Sequence, residues 1–116
     1  MNKEQIAALI EKEIVGIQDE AVIAWLADHL IDPRSIELLW EYGNNEAHTA
    51  WIVADTLQRN VVVAFCQGGH GAYGDPWGLI FSDGKHFGMD CAWFPSLQAA
   101  IYEGSSVPAP SGWEVP

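Results

Sequence analysis

Ser35-Ile36-Glu37-Leu38-Leu39-Trp40-Glu41-Tyr42-Gly43-Asn44-Asn45 is the stretch in which the chain changes period. Ile36, Leu38, Trp40 and Tyr42 alternate with Glu37 and Glu41. Strict alternation puts the two sets on opposite faces of a half-buried strand. Gly43-Asn44-Asn45 supplies a turn. His48 to Thr56 reads as a second strand, with Trp51 and Val53 on one face and Ile52 and Ala54 on the other. After Gln58-Arg59-Asn60 the chain turns into Val61 to Cys66, which is apolar on both faces and so marks a central strand. Gln67 to Pro76 carries Gly68, Gly69, Gly71 and Gly74 and reads as a loop. Trp77 to Phe81 is a fourth strand, turned by Ser82-Asp83-Gly84.

Upstream the period is helical. Ile6, Leu9, Ile10, Ile14 and Ile17 form one apolar stripe, with Asn2 as N-cap and Gly16 as stop. Asp19 caps a second helix whose stripe is Val22, Trp25, Leu26, His29 and Leu30, ended by Asp32-Pro33. Pro95 to Tyr102 reads as a short final helix with Gly104 as its stop. Helices, then strands joined by short turns, then a helix make an α+β domain. The expected architecture is an antiparallel sheet of about four strands, with the two N-terminal helices on one face. Residues 1–104 form the domain. Residues 105–116, with Pro108, Pro110 and Pro116, form an extended tail, although Trp113 implies that the tail lies down on something.

The chain has 116 residues, 16 of them Asp or Glu and only 5 Lys or Arg, for a formal net charge of −11. That length suits one domain. The 49% hydrophobic content is too high for a disordered acidic chain. The charge argues against nucleic acid or an anionic membrane as partner, since both are polyanions. No apolar run approaches the roughly 18 residues of a membrane span, and the N-terminus lacks a secretory pattern. The expected location is the cytoplasm, with Cys66 and Cys91 reduced.

Several constellations could carry chemistry. The glycines at 67–78 lack P-loop order and have no helix after them, so a strand connection or a protein-binding loop fits better than a phosphate cradle. Cys66, His70, His86 and Cys91 are zinc-type ligands, with Asp90 or His48 as substitutes, but their spacing is not that of a zinc knuckle. A nucleophilic arrangement would use either cysteine, His70 or His86 as base, and Asp75 or Asp90 as orienter. Acidic surroundings should raise a thiol pKa and oppose it. A carboxylate pair for acid–base work would draw on Glu37, Glu41 and Asp55. Phe87 to Phe94 reads as core closure, with Asp90 as a turn residue. His29 reads as a core histidine, and Arg34 is placed to pair with Glu37 or Glu41. No cofactor is called for.

The acids invite a sharper reading, in which the chain binds a basic protein. Glu37, Glu41, Glu46 and Asp55 would steer the encounter, and Trp40, His70, Tyr73 and Trp77 would make the contacts. The string Pro76-Trp77-Gly78-Leu79-Ile80-Phe81, followed by Gly88-Met89-Asp90 and Trp93-Phe94-x-Ser96-Leu97, resembles the small acidic bacterial proteins that act as immunity partners of secreted toxins. The resemblance covers roughly the last half of the chain and transfers no functional residue. It implies a non-enzymatic role against one partner. The alternatives are a small metal-binding or hydrolytic protein, or a small-molecule binder with a pocket between sheet and tail. Homodimerisation is left open.

Overall fold

Asn2 starts the first helix: its side chain accepts from the Gln5 amide, and Gln5 Oε1 accepts from the Asn2 amide at 2.7 Å. This reciprocal capping box satisfies two otherwise orphaned donors. The helix, α1, spans Lys3–Gly16. Asp19 caps α2 (Glu20–His29) by accepting from the Ala21 amide at 3.0 Å. The computed structural model describes residues 1–113. Its strands are β1 (Leu30–Leu39), β2 (Ala47–Asp55), β3 (Val61–Phe65), β4 (Trp77–Phe81) and β5 (Trp93–Phe94). The last helix, α3, spans Leu97–Gly104, and Ser96, expected inside it, is its N-cap, with Oγ accepting from the Ala99 amide. Residues 114–116 of the expected tail, Pro116 among them, lie outside the described residues.

The fold is α+β, with one sheet ordered β1-β2-β3-β4-β5 and every neighbouring pair antiparallel. The expected count of about four strands misses β5, whose two residues are too few to show alternation. β3 is central, as its two-sided apolar run required. β1 differs at both ends. It starts at Leu30 rather than Ile36, with a register irregularity between Leu30 and Arg34. Pro33 lies in that irregularity and cannot donate to a ladder, a defect an edge strand tolerates. It ends at Leu39, so Trp40 and Tyr42 project beyond the strand. In β2, Val53 is an extra residue between the Ile52–Ala64 and Ala54–Val63 pairs. This bulge turns Ala54 to the same side as Val53, where alternation had placed it opposite.

All three helices pack on one sheet face. Ile6, Ile10, Val22, Trp25, Leu26, Leu97 and Ile101 close over Val53, Val63, Phe65 and Trp77. The other face carries Leu38, Ala50, Ile52, Val62, Ala64, Cys66 and Ile80. An irregular strap, residues 82–92, covers it. The strap leaves β4 and reaches the far edge of the sheet, where Leu39 donates to the Lys85 carbonyl at 2.7 Å and Phe87 to the Leu39 carbonyl at 3.3 Å. It then returns as β5 beside β4. Phe87 is its buried side chain, and Trp93 of β5 joins it through a bond from Trp93 Nε1 to the Phe87 carbonyl at 2.9 Å.

Two close fits hold this arrangement. Gly78 of β4 lies under the Trp93 ring, and a Cβ there would stand 2.5 Å from a ring carbon. On the helix face, the Tyr102 hydroxyl donates to Asp19 Oδ2 at 2.6 Å, linking α3 to the cap of α2. That bond is the main cause holding the Asp19 carboxyl below its ordinary value. Trp113 packs edge-on against Tyr102, with ring centroids 5.0 Å apart, so the described part of the tail lies on α3 rather than on the sheet.

Gly78→Ala should destabilise the protein by about 1–3 kcal/mol, the range for overpacking a filled site, read as a lower urea midpoint with unchanged slope. Asp19 has a folded pKa below its unfolded one, so its contribution is present at neutral pH and lost as pH falls through the folded value. Tyr102→Phe should therefore lower the thermal midpoint at neutral pH, and its gap from the wild type should narrow in melts at successively more acid pH.

Candidate functional site

Three separate pieces of chain meet at the rim of the strap. The first is the end of β1, which delivers Trp40, Glu41 and Tyr42 to a turn whose amides are bonded within the hairpin. The second is the glycine-rich connection, which closes into a 3-10 turn, Gly69–Tyr73, carrying His70 and Tyr73. The expectation of a plain loop missed that turn. The turn folds tightly onto the end of β3, because Gly71 presses against the Cys66 carbonyl where no Cβ fits. The third is the strap itself, with Met89 and Asp90.

The Gly88 peptide joins the three. Its amide donates to Glu41 Oε1 at 3.0 Å. Its carbonyl lies 3.0 Å from His70 Nε2. A carbonyl only accepts, so Nε2 carries the proton of that bond. His70 is thereby a buried positioning residue, with its ring packed edge-on to Trp40 at 4.7 Å.

The result is a cleft of about 360 Å³ lined by Trp40, Tyr42, His70, Tyr73, Asp75, Met89 and Asp90. Trp40 is its hub. Tyr42 meets it edge-on at 5.1 Å, Phe87 supports it from below at 5.3 Å, and Tyr73 lies 6.5 Å away with its plane 29° from parallel. Tyr42, Met89 and Tyr73 are 59%, 65% and 80% exposed, high values for large apolar-bodied side chains. Met89 is shared with an adjoining apolar cleft that includes Leu79, Phe81, Ala92 and Gly104. Asp75 and Asp90 add two carboxylates to the aromatic walls.

The structure distributes the expected contact residues unevenly. Trp40, His70 and Tyr73 meet in the cleft, and Glu41 braces it. Trp77 does not take part: it is 2% exposed and packs on Phe65 beneath the helices, because its place in β4 faces that side. Glu37 accepts from the Thr49 hydroxyl at 2.6 Å, on the sheet face opposite Leu38 and the strap. Glu46 lies in the turn, where its own amide and that of Asn44 hold its carboxyl below the ordinary range. Asp55 is at the opposite end of β2, roughly 25 Å along the strand from the turn. Arg34 reaches the Ser82 carbonyl at 3.5 Å rather than Glu37 or Glu41, and the one ion pair among the described residues is Lys3–Asp32. Tyr42, Asp75, Met89 and Asp90 belong to the cleft but were outside the expected contact set. Tyr42 was recoverable from its alternation with Trp40, whereas the others are brought in only by the strap and the 3-10 turn.

The chain matches no family model, no curated protein and no solved structure. Its site therefore speaks through geometry alone.

The four zinc-type ligands weighed above do not assemble. Among the described residues no three His, Cys, Asp or Glu side chains converge as metal ligands. Cys66 is buried, with its thiol near the Thr49 carbonyl, while Cys91 is exposed on the strap. His70 is committed to Gly88, and His86 is exposed beside Leu39. Burial pushes the Cys66 thiol up to about 11, with the charge of Glu37 adding a smaller push. It is protonated at neutral pH and a poor nucleophile. Titration with a chromogenic disulfide at neutral pH should find one reactive thiol in the folded protein, removed by Cys91→Ser. Denaturant should expose the second.

Proposed function

We propose that this chain is a non-enzymatic binding domain that engages a basic surface of one partner protein, in the manner of an immunity-type inhibitor that works by occlusion. The observation that supports the reading is the coincidence of exposed aromatics with acids. Tyr42, Tyr73 and Met89 surround Trp40 in a single cleft whose polar walls are Asp75 and Asp90. Aromatic side chains and methionine provide contact area, and the fixed negative charge selects a cationic counterpart and speeds encounter. Glu46, in the turn after Trp40 and Tyr42, extends the negative field at this end of the hairpin, whereas Glu37 lies on the opposite face of the sheet. Asp55 lies outside it.

The net charge of −11 makes the same selection at long range. Among the described residues no helix is long and apolar enough to cross a membrane. The expected cytoplasmic location of the chain belongs to the same reading. Masking needs no reacting atom. It needs a rigid patch, and the Gly88 clamp supplies one by fixing the strap against β1 and the 3-10 turn.

Immobilised protein should capture a basic protein from the native cell at about 0.05 M salt and release it as the salt rises toward about 0.5 M, because exposed charge–charge attraction is screened. The double variant Asp75→Asn, Asp90→Asn should weaken capture at low salt, and Asp55→Asn should leave it unchanged. Capture that is indifferent to both salt and the double variant would remove the proposal.

A further inference from the structure

We infer that the cleft is a receptor for an arginine side chain presented by the partner protein, with the guanidinium in contact with the Trp40 and Tyr73 rings and its donors met by Asp75 and Asp90. The inference rests on the protein-binding reading above and names the chemistry of its central contact.

The Trp40 and Tyr73 rings have centroids 6.5 Å apart and planes inclined at 29°. Carbon atoms in contact are separated by about 3.5 Å. With the centroids nearly twice that far apart, one planar group entering the cleft can reach both rings. Such a group gains from both π-systems if it is cationic. Arginine fits better than lysine on three counts. Its guanidinium is planar, it is more weakly hydrated than an ammonium, and its fork of donors matches carboxylates. Asp75 and Asp90 line the same cleft and supply those carboxylates.

The cleft is braced before any ligand arrives. Trp40 is held edge-on by His70 and Phe87 at 4.7 and 5.3 Å. His70 is in turn fixed by the Gly88 carbonyl at 3.0 Å. One wall is thus rigid. The other, Tyr73, is 80% exposed on the 3-10 turn, where a ligand can approach. Met89 closes a side of the cleft with a polarisable thioether that adapts to the methylene stem of the side chain.

The test compares an oligo-arginine with an oligo-lysine peptide of equal length, by calorimetry and by amide and indole resonances at low salt. The arginine peptide should bind about tenfold more tightly and shift the Trp40 indole and Gly88 amide signals. Tyr73→Ala should abolish the preference, while Tyr73→Phe keeps it. The exposure of Tyr73 makes both variants safe for the fold, and an unchanged Trp93 indole signal verifies this. Equal affinities with dependence on Asp75 and Asp90 would overturn the arginine slot and leave the acidic docking surface standing. Binding of neither peptide, together with partner capture indifferent to the two aspartates, would remove both. Arginine amide binding as tightly as the peptide would also overturn the inference, since the occupant would then be a free small molecule.

Discussion

A single peptide unit, Gly88, ties together parts of the chain that are far apart in sequence. Its amide and carbonyl engage Glu41 and His70, 47 and 18 residues away. Backbone groups in irregular segments need partners as much as those in strands do. Here the partners come from side chains of the end of β1 and the 3-10 turn. With the Trp93–Phe87 bond, they hold the strap on a sheet face that no helix covers among the described residues. Trp40 stays upright because Phe87 lies under it and His70 beside it. The cleft is therefore a by-product of how the second core is closed.

The two sheet faces are solved by different means. The helix face uses regular elements, each with a cap and an apolar stripe, so its construction follows local rules. The strap face uses contacts set by tertiary closure: a tryptophan over a glycine, a histidine on a carbonyl, a carboxylate on an amide. Such bonds carry strength in a partly buried setting because the groups would otherwise stay unsatisfied.

That difference explains what could be read in advance. Asn2, Asp19 and Gly16 marked both N-terminal helices, and the alternation from Ile36 to Tyr42 placed Leu38 and Trp40 on one face. The central position of β3 followed from Val61 to Phe65 being apolar throughout. By contrast, β5 is too short to leave a pattern, and the bulge at Val53 is invisible to a strict period of two. Pro33 looked like a boundary but lies inside an edge strand. Three of the seven cleft residues were legible, Trp40, His70 and Tyr73. Trp77 lies on the covered face of β4, and aromatic character alone does not reveal which face of a strand is covered. Met89 and Asp90 could not be foreseen, since only the path of the strap brings them beside residues some 50 positions earlier. The dispersed acids were read as one field, yet the length of β2 separates Asp55 from the rest.

The crossing of the strap from β4 to the outer edge of β1 also has a dynamic consequence. Its polar anchors at Leu39, Glu41 and His70 sit at the rim, while Phe87 and, in β5, Trp93 bury it in the second core. Cooperative opening units follow buried contacts, so a segment that seals apolar surface opens together with the surface it seals. Lifting the strap would take Met89 and Asp90 out of the cleft and expose Leu38, Ile52 and Ile80 in the same step. Amide exchange at Phe87 and Gly88 would then report the opening of the second core along with that of the cleft. The recognition surface thus draws its persistence from a core on the far side of the sheet from the helices.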